Sequence, residues 1–333
     1  RTANRIVVPI RQFHIKNQDD LYHKVKNMQW EDIFDINQTF AIDSTVFSKL
    51  FNHTKYAAFK TKDAIVDRFR DKFGKRPDVS TDNPNIRINL HIDQNNQCTI
   101  SLDASGDPLF KRGYRDSRSI APIKEDLAAG LILLSGWDKK STFLDLFCGS
   151  GTLLIEATMI AYNIAPNLKR EEFGFFNWKN FDKDLFEKLK DEAIEQQIDF
   201  DKKIIGVDID GRVMGMCRAN IKAAGLTDKI ELHKKDFQDF KAPFEKGVIV
   251  SNPPYGERIG EKVDDLYKAF GDTLKTQYSG WNAWIISSNE EALKNVGLKP
   301  SQKIKLFNGS LECKLMKYEM YQGTKKIHKL QND

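Results

Sequence analysis

The sequence predicts an α/β protein in which a seven-stranded, doubly wound sheet follows a smaller α+β part. Three observations predict it. From Ser141 onward, short runs rich in β-branched and aromatic residues alternate with amphipathic segments, the pattern of a parallel sheet with helical crossovers. A turn with two glycines directly follows the first of these runs. Near the end of the chain two extended runs flank Asn308-Gly309-Ser310, turn residues that make them a hairpin.

Parallel strands are expected at 142–147, 203–209, 229–233, 247–251 and 281–287. Helical periodicity covers 152–162 and 212–224, and Gly225 stands where a helix C-terminal glycine belongs. Further amphipathic stretches cover 263–277 and 290–296, and hairpin strands at 303–307 and 312–321 bring the sheet to seven strands. Such sheets bind ligands beyond the carboxyl ends of their strands. In the first third, an amphipathic helix at 63–73 ends at Gly74, and alternating runs at 86–92 and 97–102 pair around a turn at 93–96. Residues 173–189, inserted between the first helix and the second strand of the large sheet, are aromatic and charged. They are placed either to cover the core or to rim the site.

Composition narrows the class. The chain has 333 residues, 40% hydrophobic and 30% charged, with 22 Phe, enough for two domains or one domain with an appendage. That excludes a disordered or fibrous chain. The longest apolar stretch, 127–134, is too short to cross a bilayer, and residues 1–9 show no signal-peptide pattern, so a cytoplasmic protein without membrane contact is expected. Cys98, Cys148, Cys217 and Cys313 lie 50, 69 and 96 residues apart, which fits neither a metal site nor a disulfide framework. No bound metal is expected. Residues 1–122 carry 20 Lys+Arg against 15 Asp+Glu, whereas 123–333 carry 32 of each. The basic excess sits in the first third, which suits a polyanion partner there or is only a solvated bias.

The glycine turn reads Asp145-Leu146-Phe147-Cys148-Gly149-Ser150-Gly151-Thr152. Two glycines around a small residue let the backbone turn sharply and approach a ligand, and the next helix offers its N-terminal N–H groups. A dinucleotide fingerprint needs glycine where Leu154 stands, which counts against a dehydrogenase. Asp145 sits badly beside a pyrophosphate and suits an ammonium or a sulfonium. The plain alternative is a turn that only closes a β–α connection. Asp208 ends the second strand, where a carboxylate accepts hydrogen bonds from both hydroxyls of a ribose; Asp210 is placed to cap the next helix instead. After the third strand, Asp236-Phe237 is either a carboxylate and ring for an adenine or a plain loop acid.

Beyond the fourth strand stands Ser251-Asn252-Pro253-Pro254-Tyr255-Gly256. Two prolines hold an extended turn and remove two N–H donors. Carbonyl oxygens and the Asn252 side-chain oxygen are left to accept, an arrangement that suits a planar NH₂ on a base. Tyr255 supplies a ring to stack on that base. This is the most specific signal in the chain.

Residues 145–152 resemble motif I of the class I methyltransferases that use S-adenosylmethionine, and 252–255 resemble their amino-methyltransferase Asn-Pro-Pro-Tyr motif. Lys111-Arg112-Gly113-Tyr114-Arg115, the helix-like 122–137, Ile164-Ala165-Pro166-Asn167-Leu168 and 173–178 resemble the THUMP-domain RNA methyltransferases. Within that family the chain is most similar to the bacterial large-subunit ribosomal RNA guanine-N2 methyltransferases, whose members are often labelled N6-adenine-specific DNA methylases. The similarity spans essentially the whole chain. It implies a Rossmann-like methyltransferase domain at 123–333, a basic linker at 106–122, a THUMP RNA-binding domain at 45–105, and at 1–44 the end of a ferredoxin-like domain. Members of the family start upstream of the position matching Arg1, so the first half of that ferredoxin-like domain is expected to be lacking, and one catalytic domain is expected.

On this reading Asp145, Phe147, Gly149, Ser150, Gly151 and Thr152, with Asp208, Asp236 and Phe237, hold S-adenosylmethionine. Asn252, Pro253, Pro254 and Tyr255 hold the target base, and a monomer acts on 23S ribosomal RNA. Cys148 is assigned to packing, because C5-methylating enzymes carry their cysteine in the Pro-rich loop. Cations interleave with aromatics over 53–62, and RNA contacts are expected from Lys55, Lys60, Lys72, Lys75, Arg76, Lys111, Arg112 and Arg115. Lys72, Lys75 and Arg76 also suit the end of a helix dipole. Three functions follow: guanine-N2 methylation of ribosomal RNA, N6-adenine methylation of DNA or RNA, and a non-catalytic RNA-binding or ribosome-assembly module. Intact glycine and Asn-Pro-Pro-Tyr motifs count against the third.

Overall fold

The structure, a computed structural model, describes residues 1–115, 123–254 and 262–321. It divides into two compact units: Ala3–Leu109 with Arg170–Lys188, and Arg1–Thr2 with Phe110–Lys169 and Leu189–Asp333.

The first unit contains β1 (Val7–His14), α1 (Gln18–Lys26), α2 (Trp30–Ile33), β2 (Phe40–Val46), α3 (Thr54–Phe73), β3 (Ile86–Ile92) and β4 (Gln97–Asp103). Its sheet runs β1-β4-β3-β2, with only β2 and β3 parallel. Side chains along β3 alternate between buried and half-buried, as a strand with one covered face must. Ile86, Ile88, Leu90 and Ile92 meet Leu21 and Val25 of α1, Trp30, Phe34 and Phe40, and Ala64, Ile65 and Phe69 of α3 in one core. Residues 7–44, expected within the end of a ferredoxin-like domain at 1–44, thus share a sheet and a core with 86–103. Helix α3 begins at Thr54 rather than 63, because Ala57, Thr61 and Ala64 already form a buried stripe at helical spacing. It ends at Gly74, whose φ of +69° is the left-handed conformation of a helix terminator.

Residues 170–188 belong to this unit too. Trp178 packs on its core. Lys179 donates to the Glu31 carbonyl at 2.8 Å and pairs with Asp35 at 2.7 Å. Arg170 donates to the carbonyls of Ser105 and Asp107, both at 2.8 Å. Residues 173–189 are expected from the sequence to cover the core or rim the site; up to Lys188 they are built into the N-terminal unit.

The second unit contains α4 (Glu125–Leu134), β5 (Thr142–Asp145), α5 (Thr152–Ala161), the end of α6 (Lys183–Glu195), β6 (Ile204–Asp208), α7 (Gly211–Ala224), β7 (Glu231–Lys234) and β8 (Gly247–Ser251). There follow α8 (Lys262–Gln277), β9 (Asn282–Ser287), α9 (Glu290–Asn295), β10 (Gln302–Asn308) and β11 (Leu311–Glu319). The seven-stranded sheet runs β10-β11-β9-β8-β5-β6-β7; β5 to β9 are parallel and the terminal hairpin is antiparallel. Along β5, β6, β8 and β9, neighbouring residues enter opposite cores. Phe143, Ile204, Val248 and Trp284 pack with α4, α5 and α7, while Leu144, Ile205, Ile249 and Ile285 pack with α8 and α9. Apolar residues at consecutive positions, rather than alternate ones, are what a sheet covered on both faces requires. Among the described residues no helix is long and apolar enough to cross a membrane.

Candidate active site

β5 lies between β6 and β8, so the chain leaves it in one direction and returns on its other side. Ligands of doubly wound sheets bind at such a reversal. Asp145, Asp208 and Ser251 are the last residues of these three strands.

The turn after β5 is held by two backbone bonds: Cys148 N–H to the Val207 carbonyl at 3.0 Å, and Gly151 N–H to the Cys148 carbonyl at 2.8 Å. Gly149 and Gly151 have φ of +51° and +85°, and a Cβ on Gly151 would stand 2.6 Å from Cys217 Sγ. Glycine is therefore required twice over at Gly151, by backbone conformation and by space. Helix α5 starts there without a side-chain cap, which leaves N–H groups for a ligand. Thr152 contributes its backbone only: its side chain is buried, and its hydroxyl accepts from Arg115 Nη2 at 2.8 Å.

Asp208 is half-buried at the end of β6. Its two oxygens accept from Gly149 N–H and Asp210 N–H, both at 3.0 Å. Asp210 caps α7, accepting from Arg212 N–H at 2.8 Å, so the two acids have separate roles. Asp145 is 1% exposed. Burial pushes its carboxyl up to about 7, and the nearby Asp208 charge adds to this. Hydrogen bonds from Phe147 N–H, at 3.1 Å, and from the Ser251 hydroxyl act in the opposite direction. Ser251 Oγ also accepts from Leu146 N–H at 3.0 Å. One buried hydroxyl thus ties the glycine turn to the Asn-Pro-Pro loop. Sequence reading assigned Ser251 no role; its signal was a hydroxyl closing an otherwise apolar strand.

Asn252 follows directly. Its Oδ1 is buried and has no hydrogen-bond partner among the described residues. An unpaired buried acceptor typically costs about 1–3 kcal/mol, a penalty that a bound donor removes. Pro253 is buried and Pro254 exposed, while Tyr255 lies outside the described residues. An uncapped helix start, a glycine cradle and a carboxylate at the end of the neighbouring strand fit S-adenosylmethionine, and the orphaned acceptor fits a hydrogen-bond donor on a second ligand.

Other expected residues stand elsewhere. The Phe237 ring is buried against Phe147, centroids 4.9 Å apart, and against Phe270 at 5.6 Å. Its face is core, not a free platform for an adenine; Phe147 is the more exposed of the pair. Asp236 is half-buried and accepts from Gln238 N–H at 2.9 Å. The Cys148 thiol is pushed far up by its hydrogen bond with Cys217 and by burial, as suits packing.

Arg112 is 3% exposed, with its Nε 3.3 Å from a Glu156 carboxylate that also accepts from the Tyr114 hydroxyl at 3.2 Å. It is a buried structural cation and not an RNA contact. Breaking such a pair costs about 3–5 kcal/mol, so its substitution reports on stability. Lys60 pairs with Asp19 and Lys72 with Glu31, both at 2.7 Å, whereas Lys55, Lys75, Arg76 and Lys111 are exposed. Gly74 separates Lys72 from Lys75 and Arg76, which leave the helix axis. Among the described residues no cluster of His, Cys, Asp or Glu is placed to hold a metal ion.

Comparison with known proteins agrees with this geometry. Residues 112–317 match the family described as RMKL-like, methyltransferase domain, and residues 16–103 match the THUMP domain. The ribosomal RNA large subunit methyltransferase K/L of Syntrophotalea carbinolica is 38% identical over 96% of this chain and 47% of its own length. The chain thus spans about half the length of that relative. A candidate methyltransferase solved in complex with SAH superposes with a TM-score of 0.83 and 34% identity, over 96% of this chain and 85% of that one. A predicted N6-adenine-specific DNA methylase from Listeria monocytogenes gives 0.86 and 32%, over 96% and 83%. With its glycine turn, a carboxylate closing the neighbouring strand and a matched segment longer than half its length, the chain belongs to the RMKL-like methyltransferase domain family and carries a THUMP domain ahead of it.

Proposed function

We propose that the chain is an S-adenosylmethionine-dependent RNA methyltransferase that modifies the exocyclic N2 amine of a guanine in 23S ribosomal RNA. The buried Asn252 Oδ1 directly after β8, without a partner among the described residues, carries the reading. S-adenosylmethionine, when bound, supplies a methyl group on a sulfonium. Methyl transfer to an amine is an in-line displacement, so the protein has chiefly to orient two reactants and exclude water. Asp208 would hold the ribose and Asp145 the amino-acid end. Asn252 Oδ1 and the Pro253 carbonyl would accept the two amine hydrogens, Tyr255 would stack on the base, and Pro254 would keep the loop extended. No strong base is needed, because the amine loses its proton after gaining the methyl.

The K/L name of the relative supports ribosomal RNA as acceptor, and the THUMP match supports RNA in general. In this reading 45–105 holds RNA, 106–122 links it to the catalytic part at 123–333, 1–44 serves the RNA-binding end, and the protein acts as a monomer. Lys55, Lys75, Arg76 and Lys111 would meet phosphates. Adenine N6 is the second reading, favoured by the name of the Listeria structure. The test is incubation with labelled S-adenosylmethionine and unmodified large-subunit RNA or DNA, followed by mass spectrometry of the nucleosides. N2-methylguanosine from RNA alone is expected. N6-methyladenine from either acceptor would transfer the proposal to the second reading, and no label in either would defeat both.

A further inference from the structure

We propose that Arg115 is the receptor for the carboxylate of S-adenosylmethionine and thereby sets which way round the cofactor lies. This rests on the cofactor reading above and adds the residue that recognises one of its groups. The arginine reaches the glycine turn from outside the sheet. Its Nη2 donates to Thr152 Oγ1 and to the Ile123 carbonyl, both at 2.8 Å. Thr152 is the first residue of α5, directly after Gly149-Ser150-Gly151. Two bonds from one nitrogen fix the guanidinium beside that turn.

The rest of the fork is under-used. Nε is buried without a hydrogen-bond partner; it forms a loose ion pair with Glu125 Oε1, 3.6 Å away and beyond hydrogen-bond range. Glu125 is itself buried; burial pushes its carboxyl up and the Arg115 charge acts in the opposite direction, so the counter-charge is only a partial one. The neighbouring cation Arg112 has Glu156 as its partner. Arg115 keeps 17% of its side chain exposed, which leaves an approach to the group. A guanidinium anchored on one nitrogen, with donors left over and an open approach, is pre-organised for a planar anion.

S-adenosylmethionine has one anionic group, its α-carboxylate; the adenine, the ribose and the sulfonium carry no negative charge. Asp208 at the end of β6 meets the first glycine of the same turn, accepting from Gly149 N–H, and suits the ribose. The two residues therefore orient the ligand, with the amino-acid end over the start of α5 and the adenosine toward β6. The competing explanation is that Arg115 only ties Thr152 to the segment before α4.

The two are separated by calorimetric titration of the whole chain with S-adenosylmethionine and with its decarboxylated analogue, which keeps the sulfonium and ammonium groups. The wild type should prefer S-adenosylmethionine by about tenfold or more, the value of a charge-assisted bond. Arg115→Met should lose about 10- to 100-fold for S-adenosylmethionine and change less than about twofold for the analogue. Arg115→Lys should keep part of the preference. Equal losses for both ligands, or a wild type with no preference, would overturn the proposal. A wild type that binds neither ligand would defeat the cofactor reading itself. If Arg115→Met does not fold, the wild type and Arg115→Lys still decide the matter.

Discussion

Two carboxyl groups, one in each unit, have been treated in opposite ways by the fold. Glu31 in the N-terminal unit receives Arg68 on both oxygens and Lys72 at 2.7 Å, and these hold its carboxyl down at about 2. Asp145 in the methyltransferase unit is buried beside another acid and is pushed up to about 7. Directly after Ser251, which hydrogen-bonds Asp145, Asn252 keeps an acceptor with no partner among the described residues. Glu31 is satisfied within the fold, whereas the Asp145 charge is disfavoured by burial and the Asn252 acceptor is left short of a partner, the kind of cost that a bound ligand can relieve.

The largest effect that would break this contrast is at Asn252. Asn252→Ala should lower the turnover of methyl transfer by about 10²–10³-fold, the scale of one lost positioned hydrogen bond at a reacting group. Its affinity for S-adenosylmethionine, read by calorimetry, should stay near wild type. Next comes Asp208→Ala, which should weaken cofactor binding by about 10- to 100-fold. Equal losses of cofactor affinity in the two variants would remove the division between acceptor and cofactor residues.

The two carboxyls give smaller effects of opposite sign. An acid whose folded pKa is raised is protonated more in the folded than in the unfolded state, so stability falls as pH rises from about 4 to about 7. Asp145→Asn should remove that fall: without cofactor, its urea midpoint should exceed that of wild type above pH 7 and match it below about pH 4. Glu31 works the other way, because its folded pKa is depressed. Its contribution is present above the unfolded value and disappears as pH falls toward about 2. Glu31→Gln should therefore lower the midpoint at pH 7, converge with wild type near pH 2, and leave cofactor affinity unchanged. Midpoints that move in the same direction for both variants would erase the distinction.

Local features of the chain were legible in the sequence, and features that depend on distant partners were not. The large sheet could be read because its strands are short apolar runs punctuated by Gly149, Gly151 and Gly225, each acting on its immediate neighbours. Asp208 and Asp210 could be told apart because one ends a run and the other precedes a helix. Arg112 was misread as a surface cation because its partner, Glu156, lies 44 residues further along. Phe237 looked like a stacking ring because nothing near it in the sequence announces Phe147 and Phe270 as neighbours. The first half of α3 was obscured by its cations and exposed rings, Tyr56 and Phe59, which mask the small residues on its buried face. Ser251 went unassigned since its two partners, Asp145 and Leu146, come from the end of another strand and the turn after it, more than a hundred residues earlier.

The placement of residues 170–188 bears on how the chain is made. A ribosome releases β1 to β4 early, yet the segment carrying Trp178, Lys179 and Arg170 follows only after β5 and α5 have been synthesised. The N-terminal unit can reach its complete form only when the methyltransferase unit is already partly outside the exit tunnel. A gene split at the linker would therefore yield two fragments, one lacking its final segment and the other carrying it as an orphaned loop. Any dissection of RNA holding from methyl transfer has to graft 170–188 onto the N-terminal fragment rather than cut once.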